Sequence, residues 1–212
     1  MHIAICDYGI GNLRSAEKAF QHLGFDAALT TNPADLKSAD RIVLPGVGNF
    51  GECMTNLEKH GFVGPLREEV ARGKPLLGIC VGLQMMFERS EECPGVQGLG
   101  LLKGAVEKFR GPQFDHEHNP QALKVPQIGW NALSFPAPHP LFKGLGPESH
   151  VYFVHSFYAK PVNESDVLAW SDYGFKFCAS AGRKNIMGVQ FHPEKSQTVG
   201  LSILKNFGTL TL

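Results

Sequence analysis

The 212 residues suffice for one large domain, and a chain of that length buries roughly 70% of its unfolded surface, so a core needs no disulfide or metal to complete it. Its 20 basic and 20 acidic residues cancel, which removes any net field for nucleic acid or an anionic membrane surface. Five cysteines (Cys6, Cys53, Cys80, Cys93 and Cys178) are an odd number with no C-x-x-C pair, the usage of a reducing, cytoplasmic compartment, and no long apolar run points to a membrane or to export.

In chain order, residues 2–6 (HIAIC) read as a β-strand, and DYGIGN supplies a turn. Leu13, Ala16, Ala19, Phe20 and Leu23 recur at helical spacing over 13–23, with Gly24 where a helix C-cap belongs. A second strand is expected over 25–31 and a third over 41–44, the latter broken by Pro45 and three glycines. Residues 52–72 read as helical apart from a break between Gly61 and Pro65. KPLLGI (74–79) is a buried-type strand and 81–90 a helix. Strands alternating with helices imply a parallel sheet covered on both faces. From about residue 101 onward short β-rich runs dominate, and a helix over 198–207 closes the chain. The whole reads as a single α/β domain over 1–212 with a mixed, mostly parallel central sheet flanked by helices. Residues 110–122 (RGPQFDHEHNPQA) are polar and turn-rich, a mobile surface loop. Its His116 and His118 lack the cysteines or second ligand pair of a metal site, and no metal is expected.

Three segments carry chemistry. GICVGLQ (78–84) has the form G-x-C-x-G between a strand and a helix, a nucleophile elbow with Cys80 in the nucleophile position. Small residues suit so sharp a turn, since a Cβ at Gly78 or Gly82 would meet backbone, and the helix N-terminus beneath favours negative charge on the sulfur. By itself the motif reads equally as a small buried cysteine among close-packed glycines. GVQFHPEKS (188–196) breaks the tie. His192 and Glu194 are i and i+2 in an extended segment, so Glu194 can orient the imidazole while its other nitrogen exchanges a proton with Cys80. LPGVGNF (44–50) has glycines at 46 and 48 that let a backbone N–H turn inward and form an oxyanion hole with the N–H of Val81, although such a loop serves equally as a turn or helix start. GIGNLR (9–14) has Arg14 where a dinucleotide fingerprint needs its third glycine, which disfavours nucleotide binding.

Taken together and in this order, PGVGNF, GICVGLQ and FHPE resemble the class I (triad) glutamine amidotransferases, which have a three-layer, flavodoxin-like fold. DYGIGNL, VPQIGWN, YFVHSF and HPEKSQ narrow the resemblance to the glutaminase subunits of imidazole glycerol phosphate synthases. It spans essentially the whole chain. It implies Cys80 as nucleophile, His192 as base and acid, Glu194 as orienter, and Val47, Gly48 and Val81 around the oxyanion. Gly46, Gln84, Glu92, His155, Ser156 and Phe157 match glutamine-contacting segments, Glu92 towards the α-ammonium. Asn12, Trp130, Asn131 and Lys195 match positions facing a (β/α)₈-barrel cyclase partner that receives ammonia through a channel, with Trp130 open to the alternative of an ordinary core aromatic. No cofactor is implied. This sequence departs from the family pattern at Gln127, where a His is expected, at Phe157 (often Tyr) and at Val81 (often Leu). An amidotransferase subunit of another pathway and a non-catalytic binding subunit are the competing readings.

Overall fold

A computed structural model describes residues 1–11 and 13–211; the expectation for Asn12 lies outside the described residues. The first half alternates as expected: β1 (His2–Cys6), α1 (Leu13–His22), β2 (Asp26–Thr30), β3 (Arg41–Gly46), α2 (Phe50–Lys59), α3 (Val63–Ala71), β4 (Leu76–Cys80) and α4 (Val81–Met85). Gly24 closes α1 with φ +84°, a left-handed conformation that disfavours a side chain. The break expected between Gly61 and Pro65 is shorter and earlier: the α2–α3 junction covers residues 60–62, and Pro65 lies in the first turn of α3, where its missing N–H costs no helical bond. The second half supplies β5 (Arg89–Ser90), β6 (Gly104–Lys108), β7 (Gln127–Ala132), β8 (His150–His155), β9 (Phe157–Pro161), β10 (Val167–Asp172), β11 (Lys176–Arg183), β12 (Ile186–Val189) and a closing helix, α5 (Gln197–Thr209).

Among the described residues ten strands form one sheet in the order β2-β1-β3-β4-β12-β11-β9-β6-β5, with β10 paired to β11. β2, β1, β3, β4 and β12 are mutually parallel, while β11, β9 and β6 add antiparallel pairings. Helices flank this sheet. α1 packs against α5, with Phe20 edge to face on Phe207 at 6.3 Å and on Phe25 at 6.1 Å, and α2 packs against α4. β7 and β8 form a separate antiparallel ribbon. The chain passes from that ribbon into the main sheet at Ser156, between β8 and β9.

Two expectations need correction. The helix expected over 81–90 stops at Met85, because residues 98–102 fold back and take the carbonyls that a longer helix would use. Leu99 N–H bonds the Met85 carbonyl at 2.7 Å, Leu101 N–H that of Met86 at 2.8 Å and Gly98 N–H that of Glu88 at 2.9 Å. Arg89 and Ser90 become a strand beside β6. The 110–122 loop is at the surface but anchored: Phe114 packs on Phe109, Tyr173 and Phe175, and Leu123 N–H bonds the Gln113 carbonyl at 2.8 Å. At its tip Asp115 bonds His118 Nδ1 at 2.7 Å, with Glu117 nearby and all three exposed.

Candidate active site

Register brings the chemistry-bearing segments together. β3, β4 and β12 are adjacent and parallel, with Gly46 opposite Cys80 and Ile79 opposite both Pro45 and Val189. The 46–50 loop, the Cys80 turn and the 190–194 segment therefore leave the sheet side by side at its carboxyl edge, where parallel α/β sheets bind ligands.

Cys80 is the last residue of β4 and sits at φ 56°, ψ −114°. That strained conformation is held by packing that leaves no room for side chains on its neighbours. A Cβ on Gly82 would lie 1.9 Å from the Leu44 carbonyl oxygen, and one on Gly46 2.4 Å from the Gly82 nitrogen. Val81 opens α4, so its N–H has no intrahelical acceptor. Across the turn, the Val47 carbonyl accepts from Cys53 Sγ at 3.3 Å and the Pro45 carbonyl from the buried Tyr8 hydroxyl at 2.5 Å. The loop is thus fixed from behind by Cys53 of α2 and by Tyr8, two residues beyond β1. Because a trans peptide points its C=O and N–H oppositely, the Gly48 N–H faces away from Cys53.

His192 and Glu194 meet as expected but by another geometry. The strand ends at Val189, His192 is extended, and Pro193–Lys195 form a turn of 3₁₀ helix that brings Glu194 Oε1 to 2.8 Å from His192 Nδ1. Proline at the first position of that turn and the Lys195 N–H to His192 carbonyl bond, 3.0 Å, favour the turn over extended chain. Ser196 pins it: its hydroxyl donates to the His192 carbonyl at 2.6 Å and accepts from Tyr152 N–H at 3.0 Å. Burial lowers the proton affinity of His192, but its hydrogen bonds to Cys80 and Glu194 and their charges outweigh that and raise its pKa to about 10. Glu194 Oε2 is buried with no hydrogen-bond partner among the described residues.

A cavity of about 250 Å³ opens over Cys80, lined by Val47, Gly48, Val81, Gln84, Glu92, His155, Ser156, Phe157 and His192 together with Pro126 and Val154. That is smaller than the usual drug-sized pocket and suits a small metabolite. Gly46, expected to touch substrate, is not in the lining; it is the close-packed position behind the turn. Glu92 accepts from Phe50 N–H at 2.8 Å, which fixes its carboxylate at the cavity wall. Gln84 commits its amide nitrogen to the Phe157 carbonyl (3.2 Å) and to Gln190 Oε1 (3.1 Å), leaving its oxygen for a ligand. His155 is buried, and burial lowers its pKa to about 4, so the ring is neutral at pH 7. The Phe157 carbonyl can only accept and so takes its Nδ1 proton (2.8 Å). Nε2 is then an acceptor, and Gln127 Oε1 lies 3.0 Å from it, so a bond forms there with that amide turned over to present its nitrogen. Trp130 is 47% exposed and not a core aromatic. Asn131 donates to the Asp172 carbonyl at 2.6 Å, and Lys195 is exposed.

A family model described as glutamine amidotransferase class-I matches residues 4–210. The chain belongs to the class I glutamine amidotransferases. Relatives of this amidotransferase include the imidazole glycerol phosphate synthase subunit HisH of Syntrophotalea carbinolica, 50% identical over 98% of this chain and 100% of its own length. The subunit of the same name from Geobacter metallireducens is 51% identical, covering 97% of this chain and 96% of that one. Solved structures share the amidotransferase's fold at much lower identity. A glutamine amidotransferase crystal structure matches with TM-score 0.72 at 20% identity, covering 98% and 99% of the two chains. PurLQS from Thermotoga maritima matches with TM-score 0.73 at 19% identity, covering 98% and 95%.

One residue at the site escaped the sequence reading. Gln190 is fully buried, and its amide nitrogen lies 3.8 Å from Cys80 Sγ. In the sequence it is only a polar residue between two apolar ones.

Proposed function

We propose that this chain is the glutaminase subunit of an imidazole glycerol phosphate synthase, releasing ammonia from glutamine for a cyclase partner in histidine biosynthesis. The observation that carries the reading is the Cys80–His192–Glu194 arrangement at the floor of a small cavity, in a chain half identical over its whole length to subunits of that name.

In this reading Cys80 Sγ attacks the side-chain amide carbon of glutamine. The N–H groups of Val81 and of Val47 or Gly48 stabilise the developing oxyanion. His192 gives its proton to the departing nitrogen, ammonia leaves, and a γ-glutamyl thioester remains. Water adds to the thioester with His192 as base, the C–S bond breaks, and glutamate is released. Glu194 holds the imidazole through Nδ1 and stabilises its protonated form. Glu92 faces the α-ammonium, while the Gln84 oxygen and the 155–157 segment hold the rest of the substrate. Gly46 serves by packing. Trp130, Asn131 and Lys195 belong to the side that meets a (β/α)₈-barrel cyclase, which takes the ammonia through an enclosed path and makes imidazole glycerol phosphate and an aminoimidazole carboxamide ribonucleotide. The pair works in the cytoplasm as a heterodimer, and this subunit uses no cofactor.

The test is Cys80→Ala in the reconstituted heterodimer. Glutamine-dependent synthesis should vanish, while synthesis from added ammonium salt continues at the wild-type rate. Persistent glutamine turnover would overturn the mechanism, and productive pairing with a chorismate-using enzyme would move the chain to another pathway.

A further inference from the structure

We propose that Gln190 is an additional catalytic residue, whose side-chain amide donates a hydrogen bond to the Cys80 sulfur. The inference rests on Cys80 being the nucleophile.

The orientation of the Gln190 amide follows from its neighbours. A backbone carbonyl can only accept, so the Gln84 atom 3.2 Å from the Phe157 carbonyl oxygen must be its amide nitrogen. That same nitrogen lies 3.1 Å from the Gln190 amide, and a donor there requires the Gln190 oxygen to face it. The Gln190 nitrogen is thereby turned to Cys80, 3.8 Å from Sγ, a length suited to a weak, charge-assisted bond to sulfur. The Gln84 nitrogen is the donor in both of its bonds, to the Phe157 carbonyl and to Gln190 Oε1, and the Gln190 nitrogen donates onward to the nucleophile. Gln190 cannot drift, because it is fully buried and its backbone N–H is tied to the Ala179 carbonyl at 2.9 Å.

A carboxamide suits this position chemically. It supplies a donor without a titratable proton, so it does not compete with His192 for the proton that must reach ammonia. Its N–H meets the sulfur when negative charge resides there, before attack and again when the C–S bond of the thioester breaks and the electron pair returns to sulfur. The bond is weakest in the thioester itself, where sulfur is a poor acceptor. Gln84 then has two duties: its oxygen serves the ligand, and its nitrogen aims Gln190.

The test is site-resolved alkylation of the full chain by iodoacetamide across pH 5–10, read on the Cys80 peptide by mass spectrometry, in wild type and Gln190→Met. Loss of the donor should move the pH of half-maximal Cys80 alkylation upward by about one unit. In the heterodimer kcat for glutamine should fall about tenfold, with KM within about threefold of wild type. Gln190→Leu removes the donor without placing a charge beside the sulfur, and carries the same comparison if the methionine variant fails to fold. An unmoved alkylation profile together with a raised KM would overturn the inference, since Gln190 would then only prop Gln84. A wild-type Cys80 that resists the reagent throughout would overturn the nucleophile assignment, and this inference with it.

Discussion

At His192 burial and charge act in opposite directions. Removal from water alone would leave the imidazole neutral, yet Cys80 and Glu194 hold its proton up to a pKa of about 10. Glu194 bonds the imidazole through Oε1, and no described residue bonds its buried Oε2. Glu194→Gln keeps the shape and an accepting oxygen but removes the charge. It should lower kcat by about 10²- to 10⁴-fold and shift the alkaline limb of the glutaminase kcat/KM profile to lower pH. Steady-state rates between pH 6 and 10.5 decide this, and an unmoved limb would mean that Cys80 alone retains the proton. The H-P-E spacing made this pair legible in the sequence. Gln190 was not legible, because a buried glutamine two residues before the histidine looks like any polar position until the Cys80 sulfur is seen next to it.

The β4–α4 turn is an element whose shape is dictated by absent side chains. Gly82 lies so close to the Leu44 carbonyl, and Gly46 so close to the Gly82 nitrogen, that β3, β4 and α4 approach backbone to backbone. Gly82→Ala therefore forces a shift of the helix or the strand. We expect a loss of about 1–3 kcal/mol in urea unfolding and a disproportionate drop in Cys80 alkylation rate, because the displaced turn is the one carrying the sulfur. Stability loss with unchanged alkylation would show that the turn tolerates the displacement. The glycines announce a sharp turn in the sequence, but nothing local in it sets the length of α4. Its apolar run continues to Phe87, and only the return of residues 98–102 to its carbonyls ends it. Likewise the 110–122 loop is polar in composition, yet Phe114 ties it to an aromatic cluster contributed by residues far along the chain.

For the molecule as a whole, the two buried histidines of the site give stability opposite pH slopes. His155 has its pKa depressed to about 4. The unfolded chain takes up its proton near 6.5, so stability is intact above that value and is lost as pH falls towards 4, by roughly 3 kcal/mol from this group. His192 is raised to about 10, so its contribution is complete below about 6.5 and fades as pH climbs towards 10. Urea midpoints from pH 4 to 10 should peak near neutrality, and His155→Gln should take about one proton off the acid-side slope. An unchanged slope would mean that the His155 ring is not neutral in the folded state.

The sequence by itself determined the alternation of strands and helices, the elbow at Cys80 and the pairing of His192 with Glu194. All of these follow from short-range sterics and from side chains a few residues apart. The tertiary structure alone decided the donor chain through Gln84 and Gln190, the exposure of Trp130, the withdrawal of Gly46 from the cavity and the protonation of both histidines. Each of these depends on the register that sets β3, β4 and β12 side by side, and so on burial and partners supplied by residues distant in the chain.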